Sequence, residues 1–200
     1  MPEILSTENV VQRFGGLDAL KGITMHVNEG EIIGVIGPNG AGKTTLFNCI
    51  TGMYRPTEGR VRMLDADITG WRPYRITAHG FARTFQNIRL FTKLSVLDNV
   101  KAGFHNEITY SLPESLLHVG SYHRKEKQMN EKAMEILKVF DLDGQWDYKA
   151  DNLPYDKQRK LEISRALATD PKLLLLDEPA AGMNPNETAE LMETIELVRK

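Results

Sequence analysis

The stretch Gly37-Pro38-Asn39-Gly40-Ala41-Gly42-Lys43-Thr44-Thr45 fits the pattern G-x-x-x-x-G-K-S/T at every fixed position. No other segment limits the fold so tightly, because such a loop needs a strand before it and a helix after it. Upstream, the apolar run Glu31-Ile32-Ile33-Gly34-Val35-Ile36 predicts a short buried strand. Downstream, residues 45–52 are apolar at helical spacing and close on Gly52. A triphosphate needs many converging N–H donors, and a helix N-terminus supplies several with a favourable dipole. Gly37, Gly40 and Gly42 let the backbone wrap closely around such a ligand. Lys43 places a point charge on the β- and γ-phosphates, and the Thr44 hydroxyl can complete a Mg2+ shell. The chain is therefore expected to bind a nucleoside triphosphate.

Two hundred residues suffice for one substantial domain, or a domain with a sizeable insertion. A net charge of −2 argues against broad nucleic-acid binding. No run reaches the ~18 apolar residues of a membrane span, and Glu3 and Glu8 flank a short mixed run rather than a signal peptide. Cys49 is the only cysteine, so no internal disulfide can form; on the loop's helix it reads as a small core residue. These features predict a cytoplasmic soluble chain that can still dock on a membrane partner.

Residues 4–11 alternate as a strand, Phe14-Gly15-Gly16 is a turn, and residues 19–27 are a second strand. The pair predicts an antiparallel β-layer beside the nucleotide site. Phe14 admits two readings, an exposed ring that stacks on a base or an aromatic packed in its turn. Strands are expected at 59–64 and 66–68, a short helix at 75–80 and a strand at 81–86 ending on Gln86. A glutamine there can ligate Mg2+ or position water, or be an ordinary surface amide.

From residue 95 the pattern turns helical, with Ser95 placed to cap a first helix. Residues 105–122 look irregular, and 124–140 form an amphipathic helix with Met129, Ala133, Ile136, Leu137 and Phe140 on one face. A helix is predicted over 160–169. Leu173-Leu174-Leu175-Leu176 then reads as a fully buried parallel strand. It ends in Asp177-Glu178, where open α/β sheets place their ligands. Asp177 can hold Mg2+ through its water shell, and Glu178 can polarise a water for attack on the γ-phosphate. Residues 186–200 form a last amphipathic helix.

Together these segments resemble the ATP-binding subunits of ABC transporters. Phe14 matches the adenine-stacking aromatic, residues 37–45 the Walker A loop, and Gln86 the Q-loop glutamine. Leu153-Pro154-Tyr155-Asp156-Lys157 occupies the signature position, and residues 173–178 match Walker B with Glu178 as the catalytic glutamate. Ala181-Gly182-Met183-Asn184 falls at the D-loop. Residues 83–91 and 177–185 look like those of branched-chain amino acid importers, and the length between Val100 and Arg124 fits that subfamily.

The resemblance implies an α/β fold: a P-loop NTPase core of ABC ATPase type with an antiparallel β-layer and a helical subdomain. Residues 1–94 and 165–200 would form the core and residues 95–164 the helical subdomain. It also implies ATP and Mg2+ as ligands, and Thr44, Gln86 and Asp177 around the metal. The implied partners are a second ATP-binding subunit, in a homodimer or heterodimer, transmembrane permease subunits, and indirectly a periplasmic substrate-binding protein. Such subunits lie peripherally on the cytoplasmic face of the inner membrane. Each ATP is shared between the Walker A loop of one subunit and the signature motif of the other.

Two departures stand out. The family signature is Leu-Ser-Gly-Gly-Gln. Here Pro154 lacks the hydroxyl and the N–H, while Tyr155 suits the subfamily. Asp156 replaces a glycine that approaches the opposite γ-phosphate. Like charges ~4–5 Å apart cost 1 to several kcal/mol according to the local dielectric. Lys157 can offset part of this, or the loop can turn Asp156 away. The second departure is that the chain stops at Lys200, before the family's switch histidine and C-terminal core strands. His26, His79, His105, His118 and His123 all precede Walker B and cannot replace that histidine. The expectation is a fragment or truncated product that binds ATP and hydrolyses it poorly.

Three functions stand: a transporter energising subunit, a soluble ABC ATPase without a transport role, and a nucleotide-binding but hydrolytically silent partner. The absence of paired cassettes or a long coiled insertion weighs against the second. Asp156 supports the third. No Asn-Lys-x-Asp motif points to guanine.

Overall fold

The computed structural model describes residues 2–106 and 122–199, with side chains at 105 and 106 left aside. The expected irregular segment at 105–122, with the subfamily length argument and His118, thus falls almost wholly outside the described residues. The chain divides into two compact units, residues 1–81 with 199–200, and residues 82–198.

In the first unit, β1 (Glu3–Phe14) and β2 (Leu17–Asn28) form an antiparallel hairpin around Gly15 and Gly16. β1 also pairs antiparallel with β3 (Glu58–Met63), which turns into the short β4 (Ala66–Asp67), giving the order β2-β1-β3-β4. The predicted antiparallel layer is therefore present, with longer strands than alternation alone indicated. Its inner face carries Leu5, Val10, Leu20, Val61 and Met63, all buried. Helix α1 (Lys43–Ile50) brings Leu46, Cys49 and Ile50 into the core, and α2 (Pro73–Ala78) adds Ile76.

The expected strand at Glu31–Ile36 is not formed. Residues 31–38 carry no strand, and Ile32, Ile33 and Ile36 are 53%, 40% and 96% exposed. An apolar run supplies side chains for a buried strand, but a strand exists only where a neighbour takes up its N–H and C=O groups. Among the described residues no ladder joins 31–36.

The second unit is mainly helical. β5 (Phe81–Arg83) leads into it and pairs with β6 (Leu173–Leu175) in a two-stranded sheet. β5 ends three residues before Gln86, which lies in the following loop rather than at a strand end. The β6 leucines are half-buried rather than fully buried, since β6 has a partner strand along one edge. Helices α3 (Val96–Lys101), α4 (Tyr122–Val139), α5 (Tyr155–Leu167) and α6 (Pro185–Val198) surround one core. That core includes Val96, Val100, Met129, Ala133, Leu137, Phe140, Leu161 and Leu191. The face predicted for α4 is the buried one, except that Ile136 is only half-buried at its edge. α5 begins five residues before the predicted start, so Tyr155-Asp156-Lys157 is its first turn. Pro154 makes this start natural, because its fixed φ suits the residue just before a helix and it has no N–H to satisfy.

Two local features give testable expectations. The Ser95 hydroxyl accepts from Asp98 N at 3.0 Å, capping α3. Ser95→Ala should destabilise the protein by ~1 kcal/mol in denaturant melts, the usual cost of a lost N-cap. Burial pushes the Cys49 thiol up to about 11. At pH 8 the native thiolate is then only ~1 in 1,000 molecules, and native alkylation should lag far behind alkylation in denaturant. A folded-state value above the unfolded one stabilises the fold fully below the unfolded pKa. That contribution should fade between pH ~8.5 and about 11, a loss that Cys49→Ala removes.

Candidate functional site

The residues singled out in the sequence fall on both units, and each group is described by itself. In the first unit the loop 37–42 leads into α1. Gly42 caps the helix at φ 89°, a conformation L side chains rarely adopt. A Cβ there would lie 2.5 Å from Ala19 O and 2.9 Å from Leu20 Cδ2, so the loop is pressed against β2 where only glycine fits. No acidic residue occupies the first turn of α1, leaving its N-terminal N–H groups and dipole open to an anion. The Lys43 ammonium donates to Gly37 O at 2.6 Å and Pro38 O at 3.1 Å, so the charge sits inside the loop's own curve. Pro38, Asn39, Gly40, Ala41 and Thr44 are exposed, while Gly37 and Thr45 are half-buried.

Phe14 stands at the end of β1, 43% exposed. Its ring meets Tyr54 edge-on, with centroids 5.3 Å apart and planes at 74°. The ring is thus braced by a neighbour and partly exposed. Tyr54 was not singled out from sequence.

In the second unit the acidic pair follows β6. Asp177 is buried and accepts from Arg83 Nη2 at 2.9 Å. Glu178 is exposed and accepts from Gln86 Nε2 at 3.0 Å, which leaves the Gln86 amide oxygen for another partner. Glu178 has φ 49°, in the left-handed region that a glutamate rarely enters. Such strain is typical of positions where surrounding structure dictates the backbone. Gln86 and Glu178 are thus brought together across a sequence separation no local pattern reveals.

The signature residues form a second feature of this unit. Leu153 is buried, Pro154 and Tyr155 are exposed, and Asp156 and Lys157 are half-buried. Asp156 sits in the first turn of α5, where the helix dipole favours a carboxylate. The Lys157 ammonium donates to Gln145 Oε1 at 2.9 Å, so its hydrogen bonding is directed elsewhere than Asp156. Gly182, at φ 80°, packs on Tyr155: a Cβ there would lie 3.2 Å from the ring's Cε1. The D-loop segment and the signature tyrosine are therefore in contact.

Sequence reasoning missed three residues of this site. Arg83 pairs with Asp177, while Arg159 and Glu162 are buried in α5 beneath the Gln86 loop. The i, i+3 spacing of Arg159 and Glu162 on a helix was the available signal, though surface pairs share it.

Comparison with known proteins shows the family. The family model described as "ABC transporter" matches residues 20–181. The high-affinity branched-chain amino acid transport ATP-binding protein LivG of Escherichia coli (strain K12) is 41% identical over 196 residues, 98% of this chain and 77% of LivG. BraF of Pseudomonas aeruginosa, of the same description, is 40% identical over the same shares. Among solved structures, an ATP-binding cassette of an ABC transporter in its ADP conformation matches with TM-score 0.85 and 38% identity, over 100% of this chain and 78% of that one. The cbiO1 subunit of Clostridium perfringens, part of the cbiONQ transporter complex, matches with TM-score 0.84 and 26% identity over 100% and 74%. The fold and the sequence likeness agree: this chain belongs to the ABC transporter family, as one of its ATP-binding subunits.

Proposed function

We propose that this subunit binds ATP at residues 37–45 and hydrolyses it with Glu178 to drive an importer of branched-chain amino acids. The observation that carries the hydrolytic part is the Glu178 carboxylate beyond β6, held at 3.0 Å by the Gln86 amide. A carboxylate so placed can accept a proton from an attacking water, and the amide orients it. The Walker A residues Gly37, Pro38, Asn39, Gly40, Ala41, Gly42, Lys43, Thr44 and Thr45 hold the phosphates, and Phe14, braced by Tyr54, offers a face to the adenine. The importer assignment draws on LivG and BraF, whose descriptions name that transport.

The donor set suits Mg2+. The Thr44 hydroxyl, the Gln86 amide oxygen and the Asp177 carboxylate are hard oxygen ligands. Mg2+ takes most of its oxygens from phosphate and water, so few protein ligands are needed. When bound, the ion would neutralise charge on the β- and γ-phosphates. This chain's part is to present those oxygens, with Asp177 held in place by Arg83.

Residues 95–164 serve as the helical subdomain and the remainder as the core. The partners are a second ATP-binding subunit, identical or related, and membrane permease subunits, with a periplasmic binding protein delivering the solute. No helix among the described residues is long and apolar enough to cross a membrane. The transport role named for LivG and BraF supports peripheral work on the cytoplasmic side of the membrane.

A second reading, weak hydrolysis, is favoured by Asp156 in the first turn of α5. A helix N-terminus already carrying a carboxylate is a poorer seat for a γ-phosphate.

Both readings are tested by ATP binding and turnover measured together, in subunits reconstituted with their membrane partners. Lys43→Ala should weaken ATP binding at least ~10-fold, because it removes the loop's charge. Glu178→Gln should keep binding and reduce kcat by ~100-fold or more. Retained turnover in Glu178→Gln would rule out the glutamate's role. Asp156→Gly should raise kcat or ATP-driven dimerisation ~3-fold or more if the carboxylate opposes closure. Unchanged kinetics in that variant would instead show that Asp156 is tolerated.

A further inference from the structure

Arg159 is the largest fully buried side chain among the described residues, with 0% exposure. Its guanidinium donates to two successive carbonyls of the Gln86 loop, Nη1 to Phe85 O and Nη2 to Gln86 O, each at 2.8 Å. Nη1 also meets Glu162 Oε2 at 3.0 Å, and Nη2 lies 3.4 Å from the Tyr155 hydroxyl. The other Glu162 oxygen accepts from the backbone N–H of Arg89 at 3.1 Å. One buried ion pair on α5 therefore grips residues 85–89 at both ends, by two carbonyls at the start and an N–H at the finish.

We infer that Arg159, with Glu162, is a positioning residue that fixes the Gln86 loop and through it the Gln86 amide on Glu178. This rests on the proposed roles of Gln86 and Glu178. The carbonyl held by Nη2 belongs to Gln86 itself, so the backbone is fixed at the residue whose side chain must reach Glu178. A planar guanidinium can address two adjacent carbonyls at once, while an ammonium has no such fork. Arg159 and Glu162 are wholly buried, so a loop position that withdrew these carbonyls or the Arg89 N–H would leave the pair's polar atoms without partners away from water, and the loop has one strongly preferred position. The same helix carries Asp156 and Lys157 in its first turn, about one turn before Arg159. A change in how that turn meets a phosphate is thus transmitted to the Gln86 loop through one side chain.

The test uses the full-length subunit assembled with its membrane partners. It reads kcat, KM for ATP, and amide hydrogen exchange of residues 84–90 with Mg-ATP present. Arg159→Lys should lower kcat by ~10–100-fold, the scale of a misplaced catalytic group, with KM changed less than ~2-fold. Exchange over 84–90 should quicken while that of α4 does not. In a Gln86→Ala background, Arg159→Lys should remove less than ~3-fold more, because both changes disable one unit. Glu162→Gln keeps the side-chain volume and should quicken exchange at Arg89; it decides the matter if Arg159→Lys does not fold. The clamp is refuted by unchanged kcat and exchange in Arg159→Lys, by a full multiplicative loss on Gln86→Ala, or by kcat, KM and exchange in every helix shifting together. If Gln86→Ala and Glu178→Gln hydrolyse like wild type, the proposed hydrolytic pair fails instead. Exchange over 84–90 then still shows whether Arg159 holds the loop, as it does if the wild type is silent.

Discussion

A guanidinium taken wholly out of water needs acceptors for its N–H groups, because each one left unpaired costs free energy. In the second unit that requirement falls on Arg159: Phe85 O, Gln86 O and Glu162 answer its two terminal nitrogens, while Nε is left without a partner among the described residues. Around this centre α5, the Gln86 loop and the residues after β6 become one connected assembly. Phe85 lies between two cations, Arg83 at 5.3 Å and Arg89 at 4.3 Å from its ring centroid. Arg83 in turn holds Asp177, so the acidic pair is tied to the loop by both of its members. Breaking one partner of such a buried pair is costly because the survivor keeps an uncompensated charge.

The first unit is organised by contact distance rather than by charge. The phosphate-binding loop is set by its fit against β2 at Gly42, where added side-chain volume would strike backbone. The antiparallel layer supplies a fixed floor at that point, and the dipole and N–H groups of α1 are what such a loop can offer an anion. Lys43 rests on carbonyls of its own loop, so its charge is already confined to the place where phosphate oxygens are wanted.

The legible parts of the sequence were those where a short-range pattern carries the physics. The Walker loop, the Ser95 cap, the buried stripe of α4 and the antiparallel layer all follow from spacing within a few residues. Burial at Glu31–Ile36 could not be read this way: its apolar side chains are a local property, whereas ladder partners are not. The start of α5 was misplaced because Pro154 and Tyr155 looked like loop residues, although proline suits the position before a helix. Arg159 and Glu162 were invisible for another reason. An Arg and a Glu three residues apart usually form a solvated helix pair, and only the loop lying on them makes them internal.

Glu178 adopts a backbone conformation that favours glycine or asparagine, at a cost of about 1–2 kcal/mol for other residues. At this position the side chain that meets Gln86 and the side chain that would relax the backbone are different. Replacing the glutamate by asparagine would ease the backbone while discarding the carboxylate. Backbone ease and the carboxylate's contact with Gln86 therefore pull in opposite directions at position 178.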